Sequence, residues 1–242
     1  MHRCAGTSPF LLIGDHAGRK IPQGLANLGV GESDLTRHIA WDIGIAALGV
    51  RLADRLGAAF VHQLYSRLVI DCNRRPGAPD SIPEVSDGTP IPGNAALDPA
   101  EAAERVAMFH APYQAAIGAE LDRRAAEGRS TILVALHSFT PSMRGVDRPW
   151  HAGILYDRGD TRFARAMLAS LREDRELVVG DNQPYAMDTI DYTIPLHAYP
   201  RGLEYAEIEI RQDLLCDQGG IDQWCDQLER ALVAATLPTL PS

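Results

Sequence analysis

No apolar run in this 242-residue sequence is long enough to cross a membrane. The stretch from Pro9 to Ile13 falls far short of the ~20 residues a bilayer demands. There is no charged leader followed by an apolar segment and a cleavage site, so export is not expected. Basic residues are in deficit. With 23 Lys and Arg against 32 Asp and Glu, the net charge is −9, which argues against a nucleic-acid partner. A pocket can still be basic inside an acidic shell. No glycine-rich phosphate loop follows an apolar run, so a nucleotide ligand is not expected either. Cys4, Cys72, Cys216 and Cys225 form no CxxC pair. Without export they should be reduced and serve mostly in packing. These absences point to a cytoplasmic protein. They leave the oligomeric state open, a homo-oligomer included.

What is present is enough for a core, since apolar residues make up 45 % of the chain. The length suits one α/β domain over residues 1–242. Residues 10–14 read as a buried strand. Leu35, Ile39, Ile43, Ala46, Val50, Ala53 and Leu56 recur at helical spacing after a cap at Ser33 or Asp34, predicting a helix to about Gly57. Short β segments are predicted at 58–64 and 68–71. Residues 74–94 hold five prolines and three glycines. They exclude a helix or a central strand and suggest a functional loop. An alanine-rich helix should span 98–127. "STILVALHSF" is the clearest buried strand, and 151–156 is another. A helix at 161–173, a short strand at 177–179, a strand inside "GLEYAEIEIRQDL" and a helix at 221–235 follow, with "LPTLPS" as a loose tail. Alternating strands and helices favour a sheet covered on both faces.

Ligands gather at the carboxyl ends of strands in such sheets. The first strand stops at Asp15-His16, followed by Ala17-Gly18. That is either an ordinary turn or a reaction centre with small neighbours leaving room for a ligand. The strongest strand reaches His137-Ser138. One histidine at a strand end is most often a satisfied core residue, but a second at an equivalent place favours metal ligation. Two imidazoles and a carboxylate leave zinc a fourth position for water. Asp42 is the candidate carboxylate, because it interrupts an apolar face between Trp41 and Ile43. His38 lies four residues earlier and would share its helix face, as a metal pair or a surface ion pair. In "YAEIEIRQ" the period is two. Ile208 and Ile210 face one side, and Glu207, Glu209 and Arg211 the other. That second face is either solvated or a pocket wall. As a pocket wall it would let Glu209 take a proton from water activated by zinc. Arg67 and Arg74 offer fixed cations that can grip a carboxylate or polarise a carbonyl.

Eight segments in order are similar to the N-formylglutamate amidohydrolase family: "LLIGDHAGRKIP", "RHIAWDIG", "SRLVIDCNRRP", "IPEVSDGTPIPGN", "LHSFTP", "RPWHAGILYDR", "GDNQPY" and "EIEIRQDL". The resemblance runs over about residues 9–215. A more distant one is to zinc carboxypeptidases, through His137-Ser138, Asn73-Arg74 and Glu209-Ile210-Arg211. The departure is Arg19, where carboxypeptidases have a ligand glutamate three residues after the first histidine; Asp42 is the substitute. The resemblance implies a phosphorylase/hydrolase-like, three-layer α/β/α fold with a central mixed sheet. It implies one Zn2+ per chain, or another divalent ion, held by His16, Asp42 and His137. Glu209 would be the general base and Arg67 would stabilise the oxyanion. Asn73 and Arg74 would bind the substrate carboxylate. Ser138, His151, Asp181 and Asn182 would shape the pocket, with 84–94 as its rim. The family's named reaction splits N-formyl-L-glutamate into formate and glutamate during histidine breakdown. Another N-acyl amino acid is an open alternative, as are a zinc carboxypeptidase, a non-catalytic binding protein on the same fold and a metal-free ligand-binding domain.

Overall fold

The apolar runs become the middle of a seven-stranded mixed sheet. The structure is a computed structural model that describes residues 1–3, 7–188 and 191–236. The strands are β1 (His2–Arg3), β2 (Phe10–Gly14), β3 (Ala59–His62), β4 (Ile132–Phe139), β5 (Ala152–Leu155), β6 (Val179–Asp181) and β7 (Glu204–Arg211). Their order is β1-β3-β2-β4-β7-β5-β6. Strands β3, β2, β4 and β7 are parallel. β5 runs against β7, and β6 runs with β5. Every residue of β2 and β4 is buried, as expected for parallel strands covered on both faces.

The main helices are α1 (Ile45–Leu56), α2 (Pro99–Arg105), α3 (Ala111–Ala126), α4 (Arg162–Leu171), α5 (Thr193–His197) and α6 (Gln218–Thr236). From β2 the chain crosses through α1 to β3 on one side. It then returns through α3 to β4 on the other. Right-handed crossovers in opposite directions place α1 and α3 on opposite faces. α6 packs on α1 and α4. α1 inserts Ile45, Leu48 and Leu52 into the core, each contributing about 1.5–3 kcal/mol by burial. Asp98 and Glu101 form a reciprocal cap on α2, and a π turn, Val106–His110, joins it to α3. The predicted 98–127 helix is therefore present with one wide turn. Among the described residues no helix is long and apolar enough to cross a membrane.

Two expectations are corrected. The helix predicted across 34–57 exists as a single turn, Glu32–Leu35, and as α1, with turns between them. Residues 68–71 are buried in a turn and are not a strand. Cys72 and Cys225 are buried, whereas Cys216 is exposed. Cys4 and the tail at 237–242 lie outside the described residues.

Candidate active site

The strand order reverses at β2, so a crevice opens between the carboxyl ends of β2 and β4. His16 follows β2, and His137 lies in β4. The register pairs Ile13 with Ala135, which brings the two imidazoles side by side, ring centres 4.9 Å apart. Asp42 arrives from residues 36–44, and hydrogen bonds from that backbone to His16 just after β2, to Ser138 in β4 and to Ser66 and Arg67 explain why the segment is not helical. The Asp42 N–H donates to the His16 carbonyl at 2.8 Å. The Ser138 hydroxyl donates to the Ile43 carbonyl at 3.0 Å. Arg67 N–H and the Ser66 hydroxyl donate to the Ala40 carbonyl at 3.2 and 2.6 Å. These groups are then unavailable to an i→i+4 ladder. Gly18 has a different task from making room for a ligand. A Cβ there would sit 2.1 Å from the backbone of Leu64, so the glycine lets that segment pass.

His16, Asp42 and His137 are each only 3 % exposed, and they offer ligand atoms within 4.8 Å of one another. Asp42 Oδ2 lies 2.9 Å from His137 Nδ1 and 3.5 Å from His16 Nδ1. A tetrahedral ion with ~2.0 Å bonds spaces its ligands ~3.3 Å apart. His16 Nε2 meets Asp71 Oδ1 at 2.7 Å. Burial works against ionising Asp71, but Arg67 and His16 outweigh it and hold the carboxyl well below its usual range. Nε2 is therefore the donor, and in the neutral imidazole Nδ1 carries the lone pair. That Nδ1 is buried without a hydrogen-bond partner among the described residues. A lone pair and a carboxylate that face each other in a buried site suit a cation between them. The residues present therefore fit a divalent ion.

The surroundings agree. Burial opposes protonation of His137, yet Glu207, Asp15 and Asp42 raise its pKa well above the imidazole range. Burial and Arg67 oppose protonation of His16, and Asp71 and Asp42 overcome them. The field that draws protons onto these rings also attracts a dication. His137 Nε2 stands 3.4 Å from Asp15 Oδ2. Thr193 donates to the other Asp15 oxygen at 2.5 Å. His16 thus has a hydrogen-bonded carboxylate behind it, which orients the ring and raises ligand basicity, and His137 has one within ion-pair reach.

Glu209 is the cross-strand partner of both His137 and Gly153. It is buried and lines the same cavity. Its Oε2 has no partner among the described residues, and burial pushes its carboxyl up to about 7. The glutamate face of β7 is thus a cavity wall and not a solvated surface. The cavity encloses about 500 Å³, within the usual range for small-molecule sites. One wall is the segment with Pro184, Tyr185 and Ala186. It can lie there because Gly153 has no side chain; a Cβ would meet the Gln183 carbonyl oxygen at 1.8 Å.

Arg67 lines the cavity and donates through Nε and a terminal nitrogen to Asp71 Oδ2 at 3.1 and 2.7 Å. Arg74 lines it too, tied to Asp80 at 2.6 Å. Asn73 is present, but its amide oxygen accepts the N–H groups of Tyr192 and Thr193, both at 3.0 Å. Ser138 mainly holds Asp42, donating its N–H to Oδ2 at 3.3 Å. Ser86 and Asp87, from the proline-rich segment, also line the cavity.

Three expectations are revised. His151 does not line the cavity; its Nδ1 accepts the Val178 N–H at 2.9 Å. Asp181 and Asn182 do not line it either. Asp181 accepts the Tyr156 hydroxyl, and Asn182 accepts the Tyr156 N–H. His38 shares no helix face with Asp42; its Nε2 stands 3.5 Å from Asp87 instead. The sequence reading gave no role to Asp15 or Asp71 and placed Glu207 only on a candidate pocket wall. Asp15 was signalled by its place beside His16, whereas the tie from Thr193 left no local trace.

Residues 8–216 match the model of the N-formylglutamate amidohydrolase family. A solved structure of a gene product from Agrobacterium tumefaciens is 38 % identical. The match covers 96 % of this chain and 91 % of that one, with a TM-score of 0.92. The structure of an N-formylglutamate amidohydrolase from Ralstonia eutropha is 20 % identical, with 97 % and 95 % of the chains covered and a TM-score of 0.70. That last likeness concerns the fold. No curated protein matches the sequence.

Proposed function

The chain belongs to the N-formylglutamate amidohydrolase family, and from that premise we propose that it is a metal-dependent amidohydrolase cleaving the amide of an N-formyl or other N-acyl amino acid, such as N-formyl-L-glutamate. One observation carries the reading: a buried His16–Asp42–His137 ligand set shares a cavity with a carboxylate oxygen of Glu209 that has no partner among the described residues.

A divalent ion on these three residues, zinc suiting two imidazoles and a carboxylate, would supply Lewis acidity to water and to the amide carbonyl. Glu209 accepts a proton from the attacking water and delivers it to the leaving nitrogen as the C–N bond breaks. A base with a pKa near 7 is matched to both transfers at neutral pH. Arg67, fixed by Asp71, presents positive charge to the carbonyl oxygen as it becomes negative. Arg74 holds the substrate carboxylate, with the second amide N–H of Asn73 beside it. The products are the acid of the acyl group and the free amino acid. In this reading residues 1–242 act as one catalytic domain.

The test is formate or acid release from N-formyl-L-glutamate, N-acetyl-L-glutamate and an alanyl-glutamate dipeptide, beside metal analysis of the same preparation. Release from the formyl compound, lost on chelation and restored by Zn2+, is the expected result. Full metal loading without turnover of any N-acyl amino acid would leave a binding protein and end the reading.

A further inference from the structure

Three arginines line the cavity: Arg67, Arg74 and Arg144. The first two are matched by acids, Arg67 by Asp71 and Asp42, and Arg74 by Asp80. Arg144 has no ion pair among the described residues. It stands at the tip of a hairpin made by Ser142–Met143 and Val146–Asp147. Arg144 and Gly145 have φ of 52° and 78°, the signature of a two-residue turn of type I′. The first position of that turn suits Asn, Asp or Gly, and a long side chain is disfavoured there. A second hairpin lining the cavity obeys the rule, with Asp87 and Gly88 at φ of 43° and 74°. Its Asp87 is engaged by Arg37 at 3.1 Å.

The arginine hairpin is also anchored. The Arg148 N–H donates to the Pro141 carbonyl at 2.8 Å. The Arg148 side chain donates to the Tyr185 hydroxyl at 2.9 Å and lies over the Tyr185 ring. Tyr185 is itself part of the cavity wall. An exposed arginine with no ion pair among the described residues is therefore carried on the cavity lining by a fastened turn whose backbone would be better served by another residue. Residues that break a local backbone rule cluster at functional positions.

We propose that Arg144 is a specificity-determining residue that receives a second carboxylate, that of the substrate side chain, while Arg74 holds the α-carboxylate. This rests on the hydrolase reading and adds the residue that distinguishes an acidic side chain from its neutral counterpart. Charge-assisted bonds from guanidinium to carboxylate support a preference of about 10- to 100-fold.

The experiment compares kcat/KM for N-formyl-L-glutamate and N-formyl-L-glutamine in the zinc-loaded wild type, Arg144→Lys and Arg144→Asn. Asparagine tolerates the left-handed backbone, so a melting temperature no lower than wild type shows that the variant folds. The wild type should prefer the glutamate compound. Arg144→Asn should lose that preference through KM, with the glutamine compound changed less than about twofold, and Arg144→Lys should restore part of it. Equal use of both compounds by the wild type, or a preference that survives Arg144→Asn, overturns the proposal and leaves the hydrolase intact. No turnover of any N-formyl amino acid by the loaded protein brings down both.

Discussion

Replacing Glu209 with Gln separates the two roles its carboxylate has in this fold. In the folded protein its pKa is about 7, against an ordinary value of 4.5, because burial penalises the ionised form. Below about pH 4.5 both folded and unfolded chains carry the proton, and Glu209 adds no pH dependence. Between about 4.5 and 7 the unfolded chain releases a proton that the folded one keeps, so stability falls as pH rises. Above about 7 the loss is complete. At 1.36 kcal/mol per pKa unit, the gap amounts to about 3 kcal/mol. Glutamine has the same shape and does not titrate. In metal-free protein the variant should therefore be more stable than wild type at about pH 8, and the advantage should shrink toward pH 4. For a chain of this length each kcal/mol moves Tm by about 2–4 °C, so the difference at high pH should be roughly 6–12 °C by scanning calorimetry. Activity should move the other way. Loss of the base should lower kcat by about 10²–10⁴-fold while metal content stays near one ion per chain. A Tm difference that does not grow with pH would show that the carboxylate is not buried as described. An active variant would reassign the base.

Three further outcomes follow from the same geometry. His137→Ala removes a ligand and should reduce bound metal from about one ion per chain to near none by mass spectrometry; retention of most of the metal would remove His137 from the ligand set. Asp71→Asn leaves His16 without its ionised partner, and metal affinity should weaken about 10–100-fold in a competition titration against a chromophoric chelator; an unchanged Kd would make Asp71 dispensable. Gly153→Ala puts a methyl group onto the Gln183 carbonyl oxygen. It should cost about 1–3 kcal/mol and raise KM as the Tyr185 wall is displaced, whereas wild-type Tm and KM would mean that this wall does not bear on the substrate.

Much of this architecture is written locally in the chain. β2, β4 and β7 are legible because uninterrupted or alternating apolar residues leave one option for their faces. His16 and His137 are legible because each follows such a run. Asp42 could be singled out, but not its surroundings. Leu35, Ile39 and Ile43 continue the helical spacing of α1, so local pattern predicts one helix through a segment that the structure breaks. The break comes from bonds to His16, Ser66, Arg67 and Ser138, partners that sequence periodicity cannot encode. Leu68, Val69 and Ile70 looked like a strand because burial, not strand pairing, selects apolar residues there. His151 and Asn182 belong to recognisable segments yet satisfy backbone groups. Asp87-Gly88 is a standard hairpin signal, whereas Arg144-Gly145 hides its turn behind an unsuitable residue.

The broken helix has one more result. Because residues 40–43 are fastened by main-chain and hydroxyl bonds to His16 just after β2, to Ser138 in β4 and to the turn at Ser66 and Arg67, folding of the protein itself fixes the Asp42 carboxylate opposite the two rings. An incoming cation then orders no loop, and its binding energy is kept as affinity. The finished socket stays acid-rich when empty, so protons and cations should compete for it, and acidification should release the ion before the sheet itself gives way.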